Sequence, residues 1–358
     1  MKIGLFGFPL TGKTTLFELL TGTAAQAQHG RGEGQVGICK VPDPRLDKLT
    51  EMYSPKKHTP ATIECVDVAG VEKGQAAKAL PLDQLRTVDA LAHVVRAFED
   101  EAVPHSEGPI DPLRDAISME AELILADMVV VEKRVEKLTL NVKKMNKAED
   151  KRDLELMKRC LACLEEEQPL RNLEMTEDEV VSLRGYTFLS MKPLLVVVNA
   201  GEDAADKLDG GAAAFGLSEF EGKPKTYVTA LSAKIEAEIA QLDAEDAEVF
   251  RSDLGITEPA LDRMIRASYD LLGRMSFFTA GEDECRAWTI RKGTIARKAA
   301  GAIHSDIERG FIRAEIIAHT DLVEAGSWAA GRDKGTLRLE GKEYVMQDGD
   351  VVNFRFNV

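Results

Sequence analysis

The stretch Gly7-Phe8-Pro9-Leu10-Thr11-Gly12-Lys13-Thr14 decides the reading of this chain. It fits G-x-x-x-x-G-K-[ST], a pattern that counts only in the right setting: after a strand and at the start of a helix. Both flanks qualify. Residues 2–8, KIGLFGF, form an apolar run suited to a buried strand. TTLFELLTG follows Lys13, with Leu16, Phe17, Leu19 and Leu20 apolar and Gly22 placed as a stop. The glycines allow backbone N–H groups to turn inward around a β-phosphate. A helix opening at Lys13 points the positive end of its dipole at the same anion. Lys13 is then the point charge between the β- and γ-phosphates, and the Thr14 hydroxyl is a magnesium ligand. Pro9, Leu10, Thr11 and Thr15 complete the candidate contacts of this loop.

Further strands are expected at Thr62–Val68, Ala90–Ala97, Leu194–Val198 and Thr226–Ala230, with helical stretches between several of them. That alternation argues for an α/β fold with a mostly parallel sheet covered on both faces. In such folds ligands sit at the C-terminal ends of the strands. Asp67-Val68-Ala69-Gly70 falls at one such end: Asp67 is a candidate for magnesium, usually through water, and the Gly70 N–H for the γ-phosphate. Asn199-Ala200-Gly201-Glu202 falls at another, where GTPases carry N-K-x-D. Their aspartate accepts from guanine N1–H and the 2-amino group. Here Glu202 is one methylene longer, and Ala200 replaces the lysine whose stem covers the base. Adenine has neither guanine donor, whereas a buried unpaired donor on guanine costs about 1–3 kcal/mol. The set therefore favours ATP. Ser232-Ala233-Lys234 resembles the base-contacting loop of GTPases and pulls towards GTP, so the residues alone leave both nucleotides open. Val71, where a glutamine often orients the attacking water, cannot do so; either turnover is slow or another side chain assists.

Residues from about 115 to 185 interrupt the alternation. Ile124, Met128, Val131, Val135, Leu138, Val142 and Met145 keep a heptad spacing, and Leu154, Met157, Leu161 and Leu164 repeat it after the polar NKAEDKRD, before Pro169. An inserted antiparallel helical hairpin, a coiled-coil arm, is predicted. Cys160 and Cys163 on its second helix lack further ligands at metal spacing. Beyond residue 277 the pattern becomes strand (Trp288–Ile290), helix (Ile295–Glu308) and three strands (Ile312–Ala318, Thr336–Leu339, Val351–Phe356), which fits a small β-grasp-like domain.

The chain has 358 residues and a formal net charge of -15, so nucleic-acid contact requires a local basic patch. One such cluster is Arg286, Arg291, Lys292, Arg297, Lys298, Arg309 and Arg313, opposed by Asp306 and Glu308. Five scattered cysteines suit a reducing cytoplasm, no leader opens the sequence, and no apolar run reaches bilayer length.

These residues resemble the YchF (Obg-like ATPase) family of P-loop NTPases over nearly the whole chain. The resemblance rests on VPDPRL (Val41–Leu46), VDVAG (Val66–Gly70), AHVVRAFE (Ala92–Glu99), Asn199 with Glu202, and FFTAG (Phe277–Gly281). RAWTIRKGT (Arg286–Thr294), AAGAIHSDIERGFIRAE (Ala299–Glu315) and LEGKEYVMQDGDVVNFRFNV (Leu339–Val358) carry it further. It implies a P-loop NTPase G domain (residues 1–115 and 186–276), an inserted coiled-coil domain (116–185) and a C-terminal TGS domain (277–358). It implies slow, magnesium-dependent hydrolysis of ATP in preference to GTP, and association with the ribosome or ribosomal RNA in the cytoplasm, with the TGS basic patch as our contact; no membrane association or DNA specificity is expected. The alternatives are a GTP-dependent switch and an ATP-gated module with negligible hydrolysis. His105 occupies the place of the family's proposed catalytic histidine, while His93, inside a strand, is expected in the core. The pattern departs from the family's G-x-P-N-V-G-K-S at Leu10-Thr11 and Thr14. It departs again in the first switch, HGRGEGQVG (His29–Gly37), where Arg31 falls near the usual threonine. The second switch, VEKGQAAKALPLDQL (Val71–Leu85), is short.

Overall fold

A computed structural model describes residues 1–22, 35–68, 80–101, 103–105, 108–256 and 258–357. Both remodelled switches lie largely outside that set, and Arg31, Gly70 and Val71 do so entirely. The chain forms two compact units, Met1–Ile38 with Glu64–Leu271, and Cys39–Ile63 with Leu272–Val358.

The first unit opens with β1 (Lys2–Phe6), α1 (Lys13–Thr21) and β2 (Gln35–Lys40). The chain lends α2 (Pro44–Tyr53) and β3 (Lys57–Thr59) to the second unit and returns as β4 (Thr62–Asp67). Then come α3 (Leu80–Arg86), β5 (Ala90–Ala97), α4 (Pro112–Met145), α5 (Ala148–Glu165), α6 (Glu177–Leu183), β6 (Leu194–Ala200), β7 (Thr226–Leu231), α7 (Ala233–Ile239), α8 (Ala244–Asp253) and α9 (Ala260–Leu271). Among the described residues the sheet order is β2-β4-β1-β5-β6-β7, with β4, β1, β5, β6 and β7 pairing in parallel. The four further strands expected from the sequence all form, as β4, β5, β6 and β7. β6, LLVVVNA, is buried along its whole length, as a strand covered on both faces must be. β2 was not anticipated: its apolar Val36 and Ile38 are exposed on a sheet edge, so no buried run announced it.

The helical arm has the predicted seam. Ile124, Val131 and Leu138 of α4 are buried in one cluster with Leu154, Met157, Cys160 and Leu164 of α5. Met145 is a correction: it is exposed. It is the last residue of α4, at the tip of the hairpin, one step beyond Val142, which still packs partly buried against the cluster. Polar joints fix the base of the arm. The buried Asp127 carboxylate accepts from Leu189 N–H (3.0 Å), Ser190 N–H (2.7 Å), the Ser190 hydroxyl (2.8 Å) and Arg86 (3.3 Å). Arg171, also buried, pairs with Glu120.

The second unit adds β8 (Arg274–Ala280), β9 (Glu284–Arg291), α10 (Ala296–Ile303), α11 (Ser305–Arg309), β10 (Phe311–Ala318), α12 (His319–Ala325), α13 (Trp328–Asp333), β11 (Arg338–Glu340) and β12 (Asp350–Phe356). Its sheet runs β11-β10-β12-β8-β9-β3. Antiparallel β8–β9 and β10–β12 pairs join through a parallel β12–β8 contact, and α10 packs Ala299 and Ala300 against Phe277, Ile316 and Val352 in one core. The single helix expected over Ile295–Glu308 is two. His304 is extended (φ -161°) and caps α11, its Nδ1 accepting from Asp306 N–H at 3.1 Å. The early segment is built into this unit by Arg45, which bonds Asp43 (2.9 Å) and Asp348 (2.8 Å), and by Thr59, which donates to Glu284 (2.7 Å).

Cys160, Cys163 and Cys285 are free thiols. Among the described residues no helix is long and apolar enough to cross a membrane.

Candidate nucleotide site

The phosphate loop takes the shape its glycines permit. Gly7 has φ +146°, and a Cβ there would lie 2.5 Å from the Val94 carbonyl oxygen of β5, so only glycine fits. Gly12 stands before α1 with φ +89°, and its carbonyl accepts the first helical bond from Leu16 N–H at 3.0 Å. Leu10 is left-handed too (φ 62°) and exposed, where the family pattern has asparagine, a residue that tolerates this region. Backbone strain of about 1–2 kcal/mol is the expected consequence for a leucine. Thr11 is buried, its hydroxyl donating to Phe8 O at 3.2 Å; Pro9 is half-buried, and Thr15 is exposed.

Lys13 is buried beneath this loop and donates from Nζ to Phe8 O at 2.6 Å. Burial pushes its ammonium pKa down to about 8, against the opposing pull of Asp67. The Thr14 hydroxyl donates to Asp67 Oδ2 at 2.9 Å. The fold thus brings together the three charge-handling residues read from the sequence, Lys13 and Thr14 from the start of α1 and Asp67 from the end of β4.

Asn199 closes the loop from the other side. From the end of β6 its Nδ2 donates to Thr11 O (3.0 Å) while its Oδ1 accepts Ala233 N–H (3.0 Å), so one buried amide joins the phosphate loop to the loop before α7. A Cβ on Gly12 would lie 2.2 Å from that Nδ2, a second reason for glycine there. Ser232 caps α7 through its hydroxyl, which accepts Ile235 N–H at 3.4 Å. Glu202 and Lys234, both exposed, form an ion pair between the segment after β6 and the first turn of α7. Sequence reasoning named each half of that bridge and missed the pairing, because the two residues are distant in sequence and adjacent only through the parallel β6–β7 register.

His93 lies in the core, as expected. It is buried in β5 against Phe6, ring centroids 5.0 Å apart, and burial with Lys13 nearby lowers its pKa to about 3, so it is neutral packing. The His105 side chain is buried too: Nε2 lies 2.9 Å from Asp115 Oδ2, and Arg114 holds the other carboxylate oxygen at 2.7 Å. In the second unit, Arg291, Lys292, Arg297 and Arg313 of the basic cluster are exposed. Lys298 pairs with Glu308 (2.7 Å), Arg309 with Asp306, and Arg286 stacks on Trp288 at 3.9 Å.

Comparison with known proteins gives the site its lineage. A protein of Bacillus subtilis (strain 168) named "Ribosome-binding ATPase YchF" is 43% identical over the full length of both chains. This chain belongs to the YchF family. A relative of the same name from Haemophilus influenzae is 40% identical, covering 100% of this chain and 99% of its own. The solved "Structure of the Schizosaccharomyces pombe YchF GTPase" superimposes with a TM-score of 0.86 at 31% identity, over 99% of this chain and 97% of that one. Residues 274–357 match the YchF-GTPase_C family model, described as "Protein of unknown function (DUF933)". YchF relatives are thus named for two different nucleotides, which makes the base side of this site the part to examine.

Proposed function

We propose that this YchF family member is a slow, magnesium-dependent ATPase that acts as a nucleotide-gated, ribosome-associated factor in the cytoplasm. The observation that carries the reading is the convergence of Lys13, Thr14 and Asp67 under a loop pinned by Asn199. The names of the full-length relatives supply ATP and the ribosome. Lys13 has one hydrogen bond to exchange, that to Phe8 O, when a γ-phosphate takes its ammonium. Thr14 and Asp67 would hold magnesium: a hydroxyl and a carboxylate oxygen 2.9 Å apart are the hard donors that ion takes. The ion would neutralise charge between the β- and γ-phosphates.

His105 is our candidate for the hydrolytic step. Its support is its place after β5 and its contact with Asp115, a carboxylate able to orient an imidazole. The GTP reading loses its main support, because Ser232 is a helix cap and the Ala233 N–H is already committed to Asn199.

Calorimetric titration with ATP and GTP, run beside phosphate release with and without ribosomes, tests the whole reading. ATP binding about tenfold tighter than GTP binding corresponds to about 1.4 kcal/mol. Equal affinities remove the ATP assignment; phosphate release at background level with and without ribosomes leaves only a binding module.

A further inference from the structure

The two groups with which a GTPase-like site reads guanine are both present here, and both are engaged by the protein itself. The Ala233 N–H, placed to serve a guanine carbonyl, donates to Asn199 Oδ1 at 3.0 Å. The Glu202 carboxylate, at the position where a GTPase reads the guanine N1–H and 2-amino group, accepts at Oε2 from Lys234 Nζ. Guanine needs both carboxylate oxygens, one for each donor. An oxygen that already accepts from an ammonium is a weaker and less accessible acceptor for a guanine donor, and that cost falls on GTP alone. Adenine offers an acceptor at N1 and a donor at N6, so a paired ammonium and carboxylate present no mismatch to it.

We infer that Lys234 is a specificity-determining residue: by occupying Glu202 it withholds the guanine-reading carboxylate and so excludes GTP. The inference rests on the ATP reading above and assigns its discriminating element. It runs against the resemblance of Ser232-Ala233-Lys234 to a GTPase loop, in which the same three residues would mark a guanine site. The pair also explains how a carboxylate can sit at this position without conferring guanine specificity. Its geometry comes from the parallel β6–β7 pairing, which sets Asn199 opposite Leu231 and so brings the two following segments together.

The test compares the wild-type protein with Lys234→Met and Lys234→Arg by calorimetric titration of ATP and GTP in magnesium at low salt. Lys234 is exposed, so neither substitution disturbs the core. Methionine keeps an apolar stem of similar reach and removes the charge. It should free Glu202 and tighten GTP binding by about tenfold, with ATP affinity nearly unchanged. Arginine keeps the pairing and should preserve the wild-type preference. A wild-type protein that does not prefer ATP defeats the underlying reading before the variants are compared. A wild-type preference for ATP that Lys234→Met leaves intact, or a parallel weakening of both nucleotides, overturns this inference and leaves the ATP reading standing.

Discussion

Lys13 shows how a single side chain links stability, titration and binding. Its pKa falls from 10.5 to about 8 because the buried ammonium loses more hydration than Asp67 returns. The folded state therefore binds fewer protons than the unfolded chain between about 8 and 10.5, and this group makes the free protein more stable as pH rises through that window. A triphosphate demands the proton back. ATP affinity should thus fall above pH 8, and binding near that pH should take up protons, read as a dependence of binding enthalpy on buffer ionisation heat. An enthalpy independent of buffer at pH 8–9 contradicts this role. Lys13→Ala should remove tight ATP binding while far-ultraviolet circular dichroism stays unchanged. His105 makes a different demand. Its ring faces Asp115, so His105→Ala should lower kcat and leave the ATP dissociation constant alone, as expected of a contact made only in the transition state. An unchanged rate would reduce His105 to a structural partner of Asp115. Lys13, Thr14, Asp67 and Asn199 were legible because a fixed spacing and strand ends announce them. The Glu202–Lys234 pair was not, since no local pattern couples two side chains 32 residues apart.

At the scale of elements, the arm is a heptad seam standing on a polar base. The seam follows from sequence periodicity, because apolar residues at alternating spacings of three and four lie along one helical stripe. The base does not. Asp127 looks like an ordinary helix acid in the sequence, yet it is fully buried and satisfies two backbone N–H groups and a hydroxyl in the turn that leads into β6. Desolvation raises its pKa while those same bonds oppose the rise. Asp127→Ala would leave Leu189 and Ser190 donors buried and unpaired, and should cost about 3–5 kcal/mol, the usual penalty for removing one partner of a buried charged network. Urea unfolding measures it; a loss under 1 kcal/mol would mean that water replaces the carboxylate. The broken helix in the second unit makes the same point, since the apolar pattern of Ile295–Glu308 continues across His304 while the backbone does not.

For the molecule as a whole, charge is the property that links sequence to partner. A chain of net charge -15 approaches RNA only through a local cationic surface, and Arg291, Lys292 and Arg297 are exposed on the second unit with Lys298 beside them in α10. Changing these four to glutamate should abolish co-sedimentation with ribosomes and leave ATP affinity intact, while in the wild-type protein binding should weaken steeply with salt as counterion release predicts. Ribosome binding that survives the four changes without salt dependence would move the contact to the helical arm. By itself the sequence determined the phosphate loop, the parallel strands beside it, the heptad arm and the strand-rich C-terminal region, because each is written in short-range spacing that fixes backbone geometry or one buried stripe. The tertiary structure decided the rest. Residues 39–63 join the C-terminal unit, Arg45 reaching Asp348 across 303 positions, and one amide of Asn199 holds two loops that the sequence separates. Such pairings depend on strand order and register, which bring distant residues within hydrogen-bond range only once the sheets have formed.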